Sequence, residues 1–258
     1  TGFFVRGEVT RRSIAAAGIT NAVAVGCPSL LLNPSSCLGL RLRHGFDRAR
    51  GKDPRELRVA MALPDKSPNL QQDSRLERLA EELLRDPLAK HVVILQSAER
   101  IHKVQRNESV QLYHGGLPIQ RRKLRYFYNV SEWIGFLRGF DLFIGGRIHG
   151  SMAALAAGIP VVVVPTDYRM LELAQTMKLP YMTDIQPALG VDQFLGASFD
   201  AAQAAAFDAH RAHVARLYMN AFEHYGLPIS RMVRQLEHEY RSWRRRGLSA
   251  GGGAPPRP

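Results

Sequence analysis

Apolar residues along this chain come in short runs separated by stretches of helical periodicity, which is the order of an open α/β sheet. Residues 9–17 carry a helical pattern that stops at Gly18, and residues 21–25 form a short apolar run closed by Gly26. LRVAMAL (57–63) reads as a buried strand ended by Pro64, while the Arg-, Gly- and Asp-rich stretch before it, residues 33–56, reads as an irregular connection. Across residues 70–86, Leu76, Leu79, Ala80, Leu83 and Leu84 recur at helical spacing with charges between them, predicting an amphipathic helix. Strands are expected at 91–96, 125–128, 141–144 and 160–164, lying in one parallel sheet with helices on both faces. Between and after them the pattern gives a polar helix or loop around 98–112 and helices over 131–137, 148–157 and 168–177. Ser131 is the expected N-cap of the 131–137 helix, with Glu132 favourable in its first turn. Two further helices run over about 203–225 and 229–246, and the Gly- and Pro-rich end reads as a disordered tail.

This pattern divides the chain into a first α/β part over residues 1–63, a second over 64–185, closing helices over 186–246 and a tail over 247–258. The sequence opens on Thr1 and enters patterned residues by Phe3, so a preceding segment is expected. The longest apolar stretch, residues 152–164, is broken by Gly158 and Pro160, well short of a bilayer span.

Charge narrows the partners. A formal net charge of +12 favours anions such as phosphates, nucleic acids and acidic polysaccharides without choosing among them. Part of that excess lies in RSWRRR (241–246), read as a solvated helix end. No nucleic-acid motif and no interleaved aromatics accompany it, so nucleic acid is not expected as a partner. Cys27 and Cys37 have no companions at metal-ligand spacing and read as small buried or half-buried thiols, with no metal site.

The densest chemical signal is GGRIHGS (145–151), between a buried strand and a helix of small residues. Glycines there let backbone approach a ligand closely, and a helix N-terminus offers unpaired N–H groups beside a positive dipole end. Arg147 adds a fork for a carboxylate or phosphate, and His149 adds a group able to exchange protons. The competing reading is an ordinary strand-to-helix turn with a solvated Arg147 and a packed His149. PVVVVPTDYRMLE (160–172) then supplies a second strand and turn carrying Asp167, Arg169 and Glu172. Of these, Asp167 is a plausible helix cap and Arg169 with Glu172 a helix-surface pair, so all three are taken as site-adjacent. His102, His114, His210 and His213 stand in polar stretches and read as solvated.

The run GGRIHGSMAALAAGIPVVVVPTDYRMLELAQTMKLP (145–180) resembles the signature stretch of the polysaccharide pyruvyltransferase family. VRGEVT (5–10) and VGCPSLLLNP (25–34) resemble the middle section of that family in the right order, and Trp133, Asp141 and Tyr218 fall where such sequences carry Trp, Asp and Tyr. The resemblance implies two facing Rossmann-like α/β domains in the GT-B arrangement, the N-terminal one incomplete because its first strands are missing, with phosphoenolpyruvate as donor substrate, a sugar or polysaccharide hydroxyl as acceptor, and no cofactor. It implies donor binding and catalysis at the Arg-x-His turn. His149 is then the catalytic candidate, and Arg147, Ile148, Gly146, Gly150, Ser151 and Arg6 are the candidate phosphoenolpyruvate ligands. For Arg6 a surface or helix-capping role is an equal alternative. Two rivals stand beside this reading: a GT-B nucleotide-sugar glycosyltransferase, and a non-catalytic anion-binding protein.

Overall fold

A computed structural model of the chain describes residues 2–53, 55–64, 70–112, 116–197 and 199–245. Its elements, in order, are β1 (Phe3–Val5), α1 (Glu8–Ala16), β2 (Ala22–Ala24), α2 (Leu38–Arg50), β3 (Val59–Ala62), α3 (Leu70–Arg85), β4 (Val92–Ile94), α4 (Ala98–Gln105) and β5 (Leu124–Arg125). There follow α5 (Val130–Leu137), β6 (Leu142–Gly145), α6 (Ile148–Ala157), β7 (Val161–Val163), α7 (Tyr168–Thr176), α8 (Asp192–Leu195), α9 (Ala201–His224) and α10 (Arg231–Arg245). The fold is α/β with parallel sheets, as the alternation of apolar runs and helices predicts. His114 and the tail over 247–258 lie outside the described residues.

The chain forms two compact units, and two of the four boundaries between them fall inside α2 and α7. One unit takes the described residues of Thr1–His44, Glu172–Leu179 and Phe199–Pro258; the other takes those of Gly45–Leu171 and Pro180–Ser198. This differs from the contiguous division at residue 63. The reason is β3, whose backbone bonds to β4 on one side and β6 on the other, so residues 59–62 belong to the larger sheet.

That larger sheet has the order β5-β4-β3-β6-β7, with every pairing parallel. β3, β4, β6 and β7 are buried along their whole length. A strand covered on both faces has no polar side to alternate with, which explains the unbroken runs VAMA, VVI and VVV. Read from its first strand, the order runs outward through β4 to β5 and then reverses across β3 to β6 and β7. This is the doubly wound order, and ligands of such sheets bind outside the carboxyl ends of the strands where the order reverses. Here that place is the end of β3 beside the end of β6.

The smaller unit carries a two-stranded parallel sheet, β1-β2, with Phe3 paired to Ala22 and Val5 to Ala24. Its core joins Val25 and Leu31 to Ala212, Val214, Ala215 and Leu236, with Tyr218 and Tyr240 packed against them. Arg211, on α9, is wholly buried in this unit. Its guanidinium donates to the carbonyls of Leu30 (3.1 Å), Ser35 (2.7 Å) and Asn33, stitching down the chain that follows β2. One turn earlier, Asp208 accepts from the backbone N–H groups of Gly39 (2.7 Å) and Leu40 (3.4 Å) at the start of α2.

Helix α2 replaces the irregular connection expected over residues 33–56. Leu38, Leu42, Phe46 and Ala49, at four-, four- and three-residue spacing, are all 1% exposed or less, which is a helical stripe. Gly39 and Gly45 hide that stripe in the sequence but are needed where they stand. A Cβ on Gly39 would lie 2.3 Å from the Ala204 carbonyl oxygen, and one on Gly45 would lie 2.6 Å from Pro160 Cγ. At α5 the N-cap is Asn129 rather than Ser131, its side chain accepting from the N–H groups of Ser131 (2.8 Å) and Glu132 (3.2 Å). The 125–128 strand shortens to Leu124–Arg125, and residues 126–128 turn their aromatic rings toward one another and α5.

Candidate active site

The turn from Gly145 to Ser151 leaves β6 where the strand order reverses, so the expected site residues fall at the position the sheet reserves for ligands. Arg147 is the N-cap of α6, with extended backbone (φ −142, ψ 133) and no side-chain cap of its own. Ile148, His149 and Gly150 form the first helical turn, whose N–H groups have no acceptor within the helix. They present three donors and the positive end of α6 to whatever occupies the turn.

The side chains divide sharply. His149 is exposed, Arg147 is half-buried, and Gly146, Ile148, Gly150 and Ser151 are buried. Arg147 Nη1 donates to the backbone carbonyl of Gln96 (3.1 Å), at the carboxyl end of β4, which fixes the guanidinium beside the turn. The Ser151 hydroxyl donates to the Arg147 carbonyl (3.3 Å), and Ser151 is 0% exposed, so its side chain braces the turn from within.

Glycines at the turn serve packing. A Cβ on Gly145 would lie 2.0 Å from Ser151 Oγ; one on Gly146 would lie 2.8 Å from the Ala62 carbonyl oxygen and 2.9 Å from Pro64 Cδ. A Cβ on Gly150 would lie 2.7 Å from Phe143 Cζ and 2.9 Å from Gln96 Nε2. The missing side chains thus seat the start of α6 directly on the ends of β3 and β4. Gly146 N–H secures the seat by donating to the Ala62 carbonyl (2.7 Å).

Gln96 was legible only as the residue before a loop. Its side-chain Nε2 is buried and has no hydrogen-bond partner among the described residues, which marks it as part of the constellation. The second turn, after β7, lies beside the first because Gly145 pairs with Val163 and Val164 N–H donates to the Gly145 carbonyl (2.8 Å). Asp167 caps α7 as expected, accepting from Met170 N–H (2.7 Å), and also holds Arg169 (3.3 Å).

Arg169 and Glu172 do not form the expected helix-surface pair. Glu172 Oε1 accepts instead from the N–H groups of Val9 and Thr10 in the first turn of α1, because that helix has Gly7 as its N-cap and no side-chain cap from its own sequence. Arg6 is exposed at the carboxyl end of β1, in the smaller unit. Among the histidines read as solvated, His102 and His213 are exposed, but His210 is half-buried. Burial and Lys178 push His210 down to about 4, and its Nε2 has no partner among the described residues.

Three further residues that carry the family resemblance make packing or hydrogen-bonding contacts. Asp141 accepts from Lys52 Nζ (2.7 Å) and Arg58 N–H (3.0 Å), Trp133 stacks on Phe127, and Tyr218 packs edge-on against Phe4. Both cysteines are free, Cys37 buried and Cys27 half-buried. Among the described residues no group of three or more His, Cys, Asp or Glu side chains is placed to hold a metal ion, and no helix is long and apolar enough to cross a membrane.

A doubly wound parallel sheet with an Arg-x-His turn at its reversal point defines a Rossmann-like α/β protein, and that turn is its candidate site. The family model for polysaccharide pyruvyl transferase matches residues 1–168, well over half of the chain. The chain belongs to the polysaccharide pyruvyl transferase family. No curated protein matches it. Membership supports a pyruvyltransferase-like role and implies a sugar or polysaccharide acceptor.

Proposed function

We propose that the chain transfers a pyruvyl group from phosphoenolpyruvate to a sugar hydroxyl or diol as a ketal. The observation that carries this reading is the pairing of Arg147 and exposed His149 on the first turn of α6, at the reversal point of the sheet, in a chain of this family. Phosphoenolpyruvate is a dense anion with a carboxylate and a phosphate. The Arg147 fork and the N–H groups of Ile148, His149 and Gly150 suit such a group, and Gly146 and Ser151 hold the turn in shape.

In the reaction the methylene carbon of the donor takes up a proton and becomes the ketal methyl group. An acceptor hydroxyl adds to the adjacent carbon and gives up its proton, phosphate leaves, and a second hydroxyl closes the ring. Two hydroxyl protons are released in all; one balances the methyl group and the other leaves with phosphate. His149 is the group proposed to move one of them, a contribution typically of ~10²–10⁴-fold in rate. Arg6 is proposed as a further ligand of the donor anion.

The test uses the full chain with phosphoenolpyruvate and a panel of sugar acceptors. Acceptor-dependent phosphate release, with acid-labile pyruvate recovered on the sugar, is the expected result. Turnover of a nucleotide sugar with none of phosphoenolpyruvate would overturn the reading in favour of a glycosyltransferase.

A further inference from the structure

In the smaller unit the carboxyl ends of β1 and β2 are backed by one short piece of chain, Glu172–Leu179. Glu172 reaches the β1 side. Its Oε1 accepts from Val9 N–H and from Thr10 N–H (3.3 Å), the N–H groups that an N-cap side chain ordinarily satisfies. Gly7 makes room for it, since a Cβ there would lie 2.1 Å from Glu172 Cδ. Met177 reaches the β2 side, where a Cβ on Gly26 would lie 2.4 Å from Met177 Cγ, and Cys27 N–H donates to Met177 Sδ (3.4 Å).

Arg6 stands between β1 and the turn that Glu172 holds. It is exposed, and among the described residues it has no hydrogen bond or ion pair. The neighbouring carboxylate that could neutralise it, Glu8, is engaged by Arg11 (2.8 Å) and Arg12 (3.4 Å). A guanidinium kept clear of local partners, on backbone fixed by bonds spanning 163 and 162 positions, is set up to meet an external anion.

We infer that Glu172 is a positioning residue for donor binding: it caps α1 through space and thereby sets the backbone from which Arg6 meets the donor's anionic groups. This rests on the reading of Arg6 as a phosphoenolpyruvate ligand. A capping carboxylate in a merely structural role would change stability alone. A positioning role predicts that its loss acts through Arg6.

The experiment is a double-mutant cycle on donor KM in the full chain, with Glu172→Ala, Arg6→Ala and the double variant, and Glu172→Gln as the conservative control. Glu172→Ala is expected to raise donor KM by roughly five-fold in the presence of Arg6 and hardly at all in its absence. Glu172→Gln keeps an oxygen able to accept from both N–H groups, so it should restore most of the lost affinity. If Glu172→Ala fails to fold, Glu172→Asp withdraws the acceptor by one methylene and serves in its place. A rise in KM that is the same with and without Arg6, or no rise at all while Arg6→Ala has its effect, overturns the inference alone. An Arg6→Ala variant with unchanged donor KM overturns the donor reading of Arg6, and the inference with it.

Discussion

Replacing Arg211 with methionine removes a guanidinium that is 0% exposed and donates to the carbonyls of Leu30, Asn33 and Ser35. Methionine keeps much of the side-chain volume, so the loss reports charge and hydrogen bonding more than a cavity. Three carbonyls lose their donor, and Asp208, 3.9 Å away and 2% exposed, loses its counter-charge. Breaking a buried pair by deleting one partner costs about 3–5 kcal/mol. At roughly 2–4 °C per kcal/mol for a chain of this order of size, the thermal midpoint should fall by roughly 6–20 °C. Burial pushes the Asp208 carboxyl up to about 7, against the opposing pull of two backbone N–H groups and Arg211. A carboxyl whose folded pKa is raised contributes stability at low pH and loses it as pH rises through that folded value. Without Arg211 the carboxyl should rise further, so the deficit of Arg211→Met should be larger at pH 8 than at pH 5. The assay is chemical denaturation followed by circular dichroism at both pH values, with Asp208→Asn/Arg211→Met measured alongside. The double variant should be more stable than the single one because no uncompensated charge remains. A loss below about 1 kcal/mol, within the range of an exposed ion pair, would refute the reasoning, as would a double variant less stable than Arg211→Met.

Other positions give equally direct outcomes. His91 is 6% exposed, and its Nδ1 accepts from Val59 N–H (3.3 Å), a role only the neutral ring can fill. Burial, with Lys123 second, lowers it from 6.5 to about 4, so its contribution is present above pH 6.5 and lost as pH falls toward 4. Denaturation across that window should show a loss of up to about 3 kcal/mol, and His91→Asn, which keeps an acceptor but does not titrate, should flatten the slope. Gly146→Ala puts a Cβ 2.8 Å from the Ala62 carbonyl oxygen and should cost ~1–3 kcal/mol in denaturant titrations. Gly135→Ala, inside α5 with nothing within 4 Å, should instead stabilise by ~0.5–1 kcal/mol.

The larger sheet was legible because its strands are covered on both faces and so read as unbroken apolar runs, with Gly and Pro closing them. Helix α2 was not, because two glycines and several arginines interrupt its apolar stripe, and the contacts that make Gly39 and Gly45 necessary come from Ala204 and Pro160. The division of the chain at residue 63 differs from the two compact units for a similar reason. Nothing local to residues 57–63 tells which sheet they join; the pairing with β4 and β6 does. At the site, Arg147 and His149 stood out because a basic fork and an imidazole beside glycines before a small-residue helix have a ready chemical meaning. Glu172 was visible as a residue, but its bond to α1 joins positions 163 apart and leaves no local signal. Gln96 likewise acquires its place only when β4 lies beside β3.

The most direct test of the account compares the pH–rate profile of phosphoenolpyruvate-dependent ketal formation for the full chain and for His149→Gln, with donor affinity measured beside it. Glutamine keeps a hydrogen-bonding side chain on the first turn of α6 but cannot exchange a proton near neutrality. The account predicts that turnover falls by ~10²–10⁴-fold, that one limb of the profile disappears, and that donor affinity stays within a few-fold, because Arg147 and the helix N–H groups are untouched. Near-normal turnover with an unchanged profile would contradict it and return His149 to a passive place on the surface of the turn.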